Sequence, residues 1–126
     1  MESALIPQDE LNEIIPEDNI LDEVHLFSTK VRKISSWGYK HDRILMLSTH
    51  QIYQLTMEFE VRKQVPIADL RYVIKCAKSD EILLYFNGHF TYRLLVPQYE
   101  EFLELVKIQF PQYCPTTSLK VFVIDD

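Results

Sequence analysis

The hydrophobic period of the chain changes twice. From Val24 onward, apolar and polar residues alternate with a period of two. Val24 and Leu26, with Ser28, alternate with His25 and Phe27, and the pattern continues through Val31 and Ile34. This predicts a long first strand over residues 23–34, with a bulge near Ser28 and Thr29. A strongly apolar second strand follows at residues 43–48, and residues 51–55 alternate cleanly as a third. Residues 61–65 predict a short fourth strand ended by Pro66, which cannot donate to a ladder. Residues 71–76, 81–86 and 89–96 predict three more, the last two joined by Asn87-Gly88, a pair that tolerates the positive φ of a tight hairpin.

After Pro97 the period becomes helical. Tyr99, Phe102, Leu103, Val106 and Phe110 fall on one face, and Glu100, Glu101, Glu104 and Lys107 cover the other. Pro97 suits a helix start, the first-turn acids suit the helix dipole, and Pro111 is expected to stop the helix. Residues 118–124 predict an eighth strand, which either joins the domain's sheet or offers an edge to a partner. At the other end, Leu11, Ile14 and Ile15 form one short amphipathic turn between Pro7 and Pro16. Two readings stand for this leader: a loose tail, or a segment docked on the body. The fold class is mainly β with one C-terminal helix. It is a seven-stranded barrel or orthogonal sandwich capped by that amphipathic helix, with an extra C-terminal strand. The expected divisions are an acidic leader at 1–22, the domain at 23–110 and an extension at 111–126.

Composition fits one globular domain with its own core. The chain has 126 residues, 47% of them hydrophobic and 25% charged. Only two glycines occur, which excludes a Gly-rich phosphate loop. Cys76 and Cys114 have no metal-ligand spacing and read as reduced thiols. The acidic N-terminus has no basic region ahead of an apolar run, so no secretory signal is expected. Apolar runs are too short to span a membrane, and neither myristoylation nor prenylation is expected. The expected location is the cytoplasm, at a membrane periphery, the cytoskeleton or a cilium.

Charge changes this picture. The net charge is −6, yet residues 1–24 hold eight acids and no Lys or Arg, while the remainder holds all thirteen bases against eleven acids. A mildly basic body sits behind an acidic head. Lys30, Arg32, Lys33, Lys40 and Arg43 cluster around the first hairpin, with Trp37 and Tyr39 near its tip and His41 beside them. By the period of two, Lys30 and Arg32 share one face and Lys33 points to the other, while Arg43 is placed to meet Lys30 and Arg32 across the hairpin. Arg grips phosphate with two hydrogen bonds and Lys supplies a point charge. A solvated rim with Trp37 packed on the body is the plainer alternative. The acidic leader, folded over this cluster, would block it.

Chemistry-bearing patterns are weak. His25, His41, His50 and His89 have no ligand spacing, and Ser48-Thr49-His50 lacks the glycines of a nucleophile elbow. Lys75 adjoins Cys76, but neighbouring strand residues point to opposite faces, so thiol activation is not indicated. Asp80-Glu81 and Glu100-Glu101 read as turn and helix-face charges. No enzymatic activity, metal, cofactor or nucleic-acid partner is expected.

Several segments together resemble a known family. These are Lys30-Val31-Arg32-Lys33-Ile34, Arg43-Ile44-Leu45-Met46-Leu47-Ser48-Thr49, Ile52-Tyr53-Gln54-Leu55, Val65-Pro66-Ile67-Ala68-Asp69-Leu70, Lys78-Ser79-Asp80 and Glu101-Phe102-Leu103-Glu104-Leu105-Val106. In order and spacing they resemble the tail-homology-1 (TH1) domain of class I myosins, a pleckstrin-homology (PH)-like module, over residues 24–110. The resemblance implies a PH-like fold and a non-catalytic adaptor. Such a module binds anionic phosphoinositide membranes through the basic first hairpin, with Lys30, Arg32, Lys33, Lys40 and Arg43 on headgroups and Trp37 and Tyr39 in the interface. The other role it implies is a docking or structural subunit of a ciliary or actin- and myosin-linked cytoskeletal complex, without lipid binding. The sequence departs from TH1 domains in its acidic overall charge, and neither a motor nor a calmodulin-binding neck is expected.

Overall fold

The computed structural model describes residues 6–88 and 90–125. In chain order these form α1 (Gln8–Ile14), β1 (His25–Ile34), β2 (Lys40–Ser48), β3 (Gln51–Leu55), β4 (Val61–Pro66), a 3-10 turn (Ile67–Asp69), β5 (Leu70–Cys76), β6 (Glu81–Phe86), β7 (Phe90–Leu95), α2 (Tyr99–Tyr113) and β8 (Lys120–Ile124). His89, expected to open the seventh strand, lies outside the described residues. The strands form one sheet in the order β4-β3-β2-β1-β7-β6-β5-β8, all pairs antiparallel except β5 with β8. The sheet is open, with β4 and β8 at its edges. Among the described residues, strand pairing joins its halves at Arg32 with Leu95 and Lys33 with Leu94.

One core unites both halves. Phe27, Val31, Leu45, Ile52, Val65, Val73, Leu84 and Leu94 meet Phe102, Val106 and Phe110 of α2. The helical period is therefore satisfied by burying its apolar stripe on the inner face of the sheet. Pro111 does not stop α2: the helix runs to Tyr113, and the Cys114 amide donates to the Phe110 carbonyl at 3.0 Å. Near a helix end the hydrogen bond that proline forgoes is one among few, and its fixed φ fits the turn.

The apolar run of β2 has a specific cause. Leu45 and Leu47 enter the main core, while Ile44 and Met46 enter a second cluster with Tyr53, Leu55 and Ile15. A strand buried on both faces loses its alternation. The second face is covered by the leader, whose Ile6, Leu11 and Ile14 pack on the cluster. Of the two readings of the leader, docking is the one observed. A helix of seven residues has little stability of its own, so this contact is what holds α1.

The junction after α1 is fastened by hydrogen bonds. The Asn19 side chain donates to the carbonyls of Pro16 and Glu23 and accepts from the Glu23 amide at 2.7 Å. The Glu23 carboxylate accepts from the hydroxyls of Ser48 and Tyr53. Burial, reinforced by that carboxylate, raises the pKa of Tyr53 and keeps it a donor. The irregularity in β1 lies between His25 and Phe27, earlier than Ser28-Thr29. Beyond it the register is unbroken, and Phe27 and Val31 face the main core. Val24, ahead of the strand, is exposed.

β8 joins the sheet beside β5, in register from Tyr72 with Lys120 to Cys76 with Ile124. Leu119 and Val121 pack against the main core.

Candidate functional site

The unbroken register of β1 and β2 decides where each base points. Residues directly opposite in an antiparallel pair share a face. Lys30 opposes Ile44 and Arg32 opposes Asp42, so both stand on the outer face, with Lys40 further along it opposite Ile34. Lys30 Nζ lies 3.8 Å from Asp42 Oδ2, both side chains being well exposed. Arg43 opposes Val31, a core residue, so it stands on the inner face with Lys33. The expected meeting of Arg43 with Lys30 and Arg32 therefore does not occur, because a one-residue offset in a pleated strand reverses the face. The five bases divide between two faces.

The inner face gathers cations the sequence reading missed. Gln54 opposes both Leu45 and Lys63, which puts Lys63 on the inner side beside Arg43. A shift between Gln54 and Leu55, where Leu55 pairs with Val61, inserts Arg62 at the same end. The Lys33 ammonium is pushed below its usual pKa range, first by burial and then by repulsion from Arg43, Lys63 and Arg62. Four cations thus share one rim, formed by β1, β2 and β4. Arg43 Nε and Gln54 Nε2 are buried there with no hydrogen-bond partner among the described residues. The signal for Arg62 and Lys63 was present as an adjacent basic pair in a short strand, but only the pairing of β3 with β4 carries them to the first hairpin.

The hairpin tip stands clear of the body. Gly38 holds φ +86, and the Ser35 and Tyr39 backbones close the turn, with the Ser35 amide donating to the Tyr39 carbonyl at 2.8 Å. Trp37 is 86% exposed and Tyr39 69%, so Trp37 is not packed on the body. His41, opposite Lys33, is exposed on the inner side.

A groove of about 950 Å³ opens where β1 and β7 part after their two paired positions. Lys30, Arg32 and Asp42 contribute charge to it, and Met57, Leu95 and Pro97 supply apolar surface. α1 docks on the outer face of β2 and β3. None of the ion pairs among the described residues joins a leader acid to the five hairpin bases.

Other titratable groups are accounted for by structure. Buried Lys75 donates to the carbonyls of Cys76 and Ser79 and lies 4.1 Å from the Tyr99 ring centroid. Its head is thus held by backbone and ring. No group of three or more His, Cys, Asp or Glu suited to a metal occurs among the described residues. Nor is any helix among them long and apolar enough to cross a membrane.

His25 is half-buried, and burial lowers its pKa below the ordinary value of 6.5. The unfolded chain therefore takes up this proton more readily than the folded one. The associated stability is present above about pH 6.5 and is lost as pH falls through the lower folded value. Thermal midpoints measured from pH 7.5 down to 5 should fall less steeply for His25→Gln than for the unaltered chain; parallel curves would exclude His25 as the cause.

No protein-family profile matches the chain, and no curated protein sequence matches it. Solved structures do. The PH domain of human oxysterol-binding protein-related protein 11 superposes with TM-score 0.59 at 8% identity, over 76% of this chain and 86% of that one. The fold is PH-like. The hSac2 domain of human phosphoinositide phosphatase Sac2 gives TM-score 0.62 at 12% identity, covering 96% of this chain and 92% of that one. The linker-DH/PH fragment of p115-RhoGEF gives 0.57 at 8% identity over 92% of this chain. This PH-like chain spans 35% of that fragment and 30% of the human ARHGEF11 DH/PH chain solved with RhoA.

Proposed function

We propose that this chain is a non-catalytic, PH-like adaptor that binds anionic phosphoinositide membranes through the basic end of its first hairpin. The observation that carries the reading is the inner rim, where strand pairing gathers Lys33, Arg43, Arg62 and Lys63 closely enough for Lys33 to feel the other three. A phosphate seated on this rim would offset the mutual repulsion of its four cations. Lys30, Arg32 and Lys40 flank the rim from the outer face and add long-range attraction. Exposed Trp37 and Tyr39 suit the interfacial zone, where amphipathic rings settle. The likeness to TH1 domains rests on the sequence motifs and points the same way.

Each base near an anionic surface contributes about 1 kcal/mol. Lys33→Ala with Arg43→Ala should therefore weaken co-sedimentation with phosphoinositide vesicles about thirtyfold, more at low salt than at high salt. Lys30→Ala alone, already paired with Asp42, should weaken it less. Absence of vesicle binding by the unaltered chain at low salt would sink the proposal.

The second reading is a docking subunit of a cytoskeletal assembly that binds no lipid. It is favoured by the groove between β1 and β7, whose apolar walls and neutralising Asp42 suit a protein segment better than a phosphate.

A further inference from the structure

β8 has β5 on one side and, among the described residues, no strand on the other. Sheet edges are ordinarily guarded by a central charge, a proline or a bulge. The centre of β8 carries none of these. It reads Val121-Phe122-Val123-Ile124, with Phe122 49%, Val123 67% and Ile124 44% exposed.

The backbone of this edge has a definite phase. The Ile124 carbonyl accepts from the Ala77 amide at 2.8 Å, so Ile124 turns its backbone polar groups toward β5. Successive strand residues alternate in this respect. Phe122 and Lys120 therefore also face β5, and Val121 and Val123 present their N–H and C=O outward. The side chains have a phase too. Phe122 pairs with Ile74 on the outer face, where its ring meets Tyr72 edge-on at 5.9 Å. Tyr72 in turn stacks on Tyr85 at 4.6 Å. A row of three rings thus ends at the open edge.

We propose that β8 pairs antiparallel with β8 of a second copy of this chain, about a two-fold axis at Phe122. In that register Val121 of one copy and Val123 of the other exchange their outward N–H and C=O groups on both sides of the axis. Phe122 faces its own symmetry mate at a non-hydrogen-bonded position, where side chains approach most closely. The aromatic row then runs unbroken from one copy into the next. Charge selects the same orientation. Antiparallel pairing sets Lys120, at the start of one strand, toward the Asp125 end of the other, whereas parallel pairing would align like charges. The contact is isologous and closes at two copies.

Sedimentation equilibrium of the full chain tests this. The expected result is a mass that rises from one chain to two with concentration. Val123→Pro removes an outward N–H and leaves the ladder to β5 intact, a position where an edge strand accepts proline. It should give a single-chain mass at every concentration, with the thermal midpoint of the unaltered chain measured at dilutions where that chain is also single. Should that variant fail to fold, Phe122→Lys puts like charges face to face at the axis and should have the same effect on mass. Phe122→Cys should form a disulfide-linked dimer under mild oxidation, and Lys120→Cys should not. A single-chain mass for the unaltered protein throughout, or a dimer that survives both Val123→Pro and Phe122→Lys, overturns the proposal.

Discussion

Deleting residues through Leu21 is expected to lower stability by about 4 kcal/mol and to make the chain prone to aggregation. Ile44, Met46, Tyr53 and Leu55 are at most 2% exposed, and the leader is what covers their outer face. Without it, apolar surface on the middle strands of one half of the sheet meets water, and fully burying one such side chain stabilises by about 1.5–3 kcal/mol. Only part of each side chain would be uncovered, which keeps the total near the stated figure. A smaller change isolates the contact. Ile15→Ala leaves the chain length and charge alone and should cost about 2 kcal/mol, because Ile15 is the leader residue buried in that cluster. Urea titrations of both variants give the test. An unchanged midpoint on deletion would mean that the leader contributes nothing to the body.

Phe102→Ala is expected to be the most damaging single change in the core, at about 3–5 kcal/mol. Phe102 is fully buried on the face of α2 that plugs the sheet, and its ring centroid lies 6.2 Å from that of Phe27. The cavity would open where α2 meets β1, between elements that cannot readily close over it. Since domains of this size are stable by only about 5–15 kcal/mol, the variant should be partly unfolded near physiological temperature. Circular dichroism on heating would show it. A midpoint within a few degrees of the unaltered chain would mean that the helix is not the plug of this core.

The same two elements differ in how legible they were. The spacing of Tyr99, Phe102, Leu103, Val106 and Phe110 announced α2 and its buried face directly, because a helix with one wet side must repeat near 3.6 residues. The run Ile44-Leu45-Met46-Leu47 announced a strand and was silent about its second cover. An apolar residue records that something buries it, not what does. The candidate site shows the same division. Lys33 and Arg43 were legible as bases near a hairpin, and the period of two separated Lys33 from Lys30 and Arg32. Arg43 was misplaced because its face depends on the pairing register with Val31. Arg62 and Lys63 are some thirty residues further along the chain than Lys33, and only the β2-β3-β4 pairing carries them to it.

By itself, then, the sequence determined the element order, the helix with its inward stripe, the approximate strand limits and the split between an acidic leader and a basic body. These follow from local periodicity, proline and glycine placement, and composition, all of which act over a few residues. Tertiary structure alone decided that the leader docks on the outer face of β2 and β3. It also decided that Arg43 joins Lys33 on the inner face and that β4 adds Arg62 and Lys63 there, and that the C-terminal strand lies parallel to β5 with no strand among the described residues on its far side. Each of these depends on pairing between segments distant in sequence, where a one-residue change of register exchanges inside for outside.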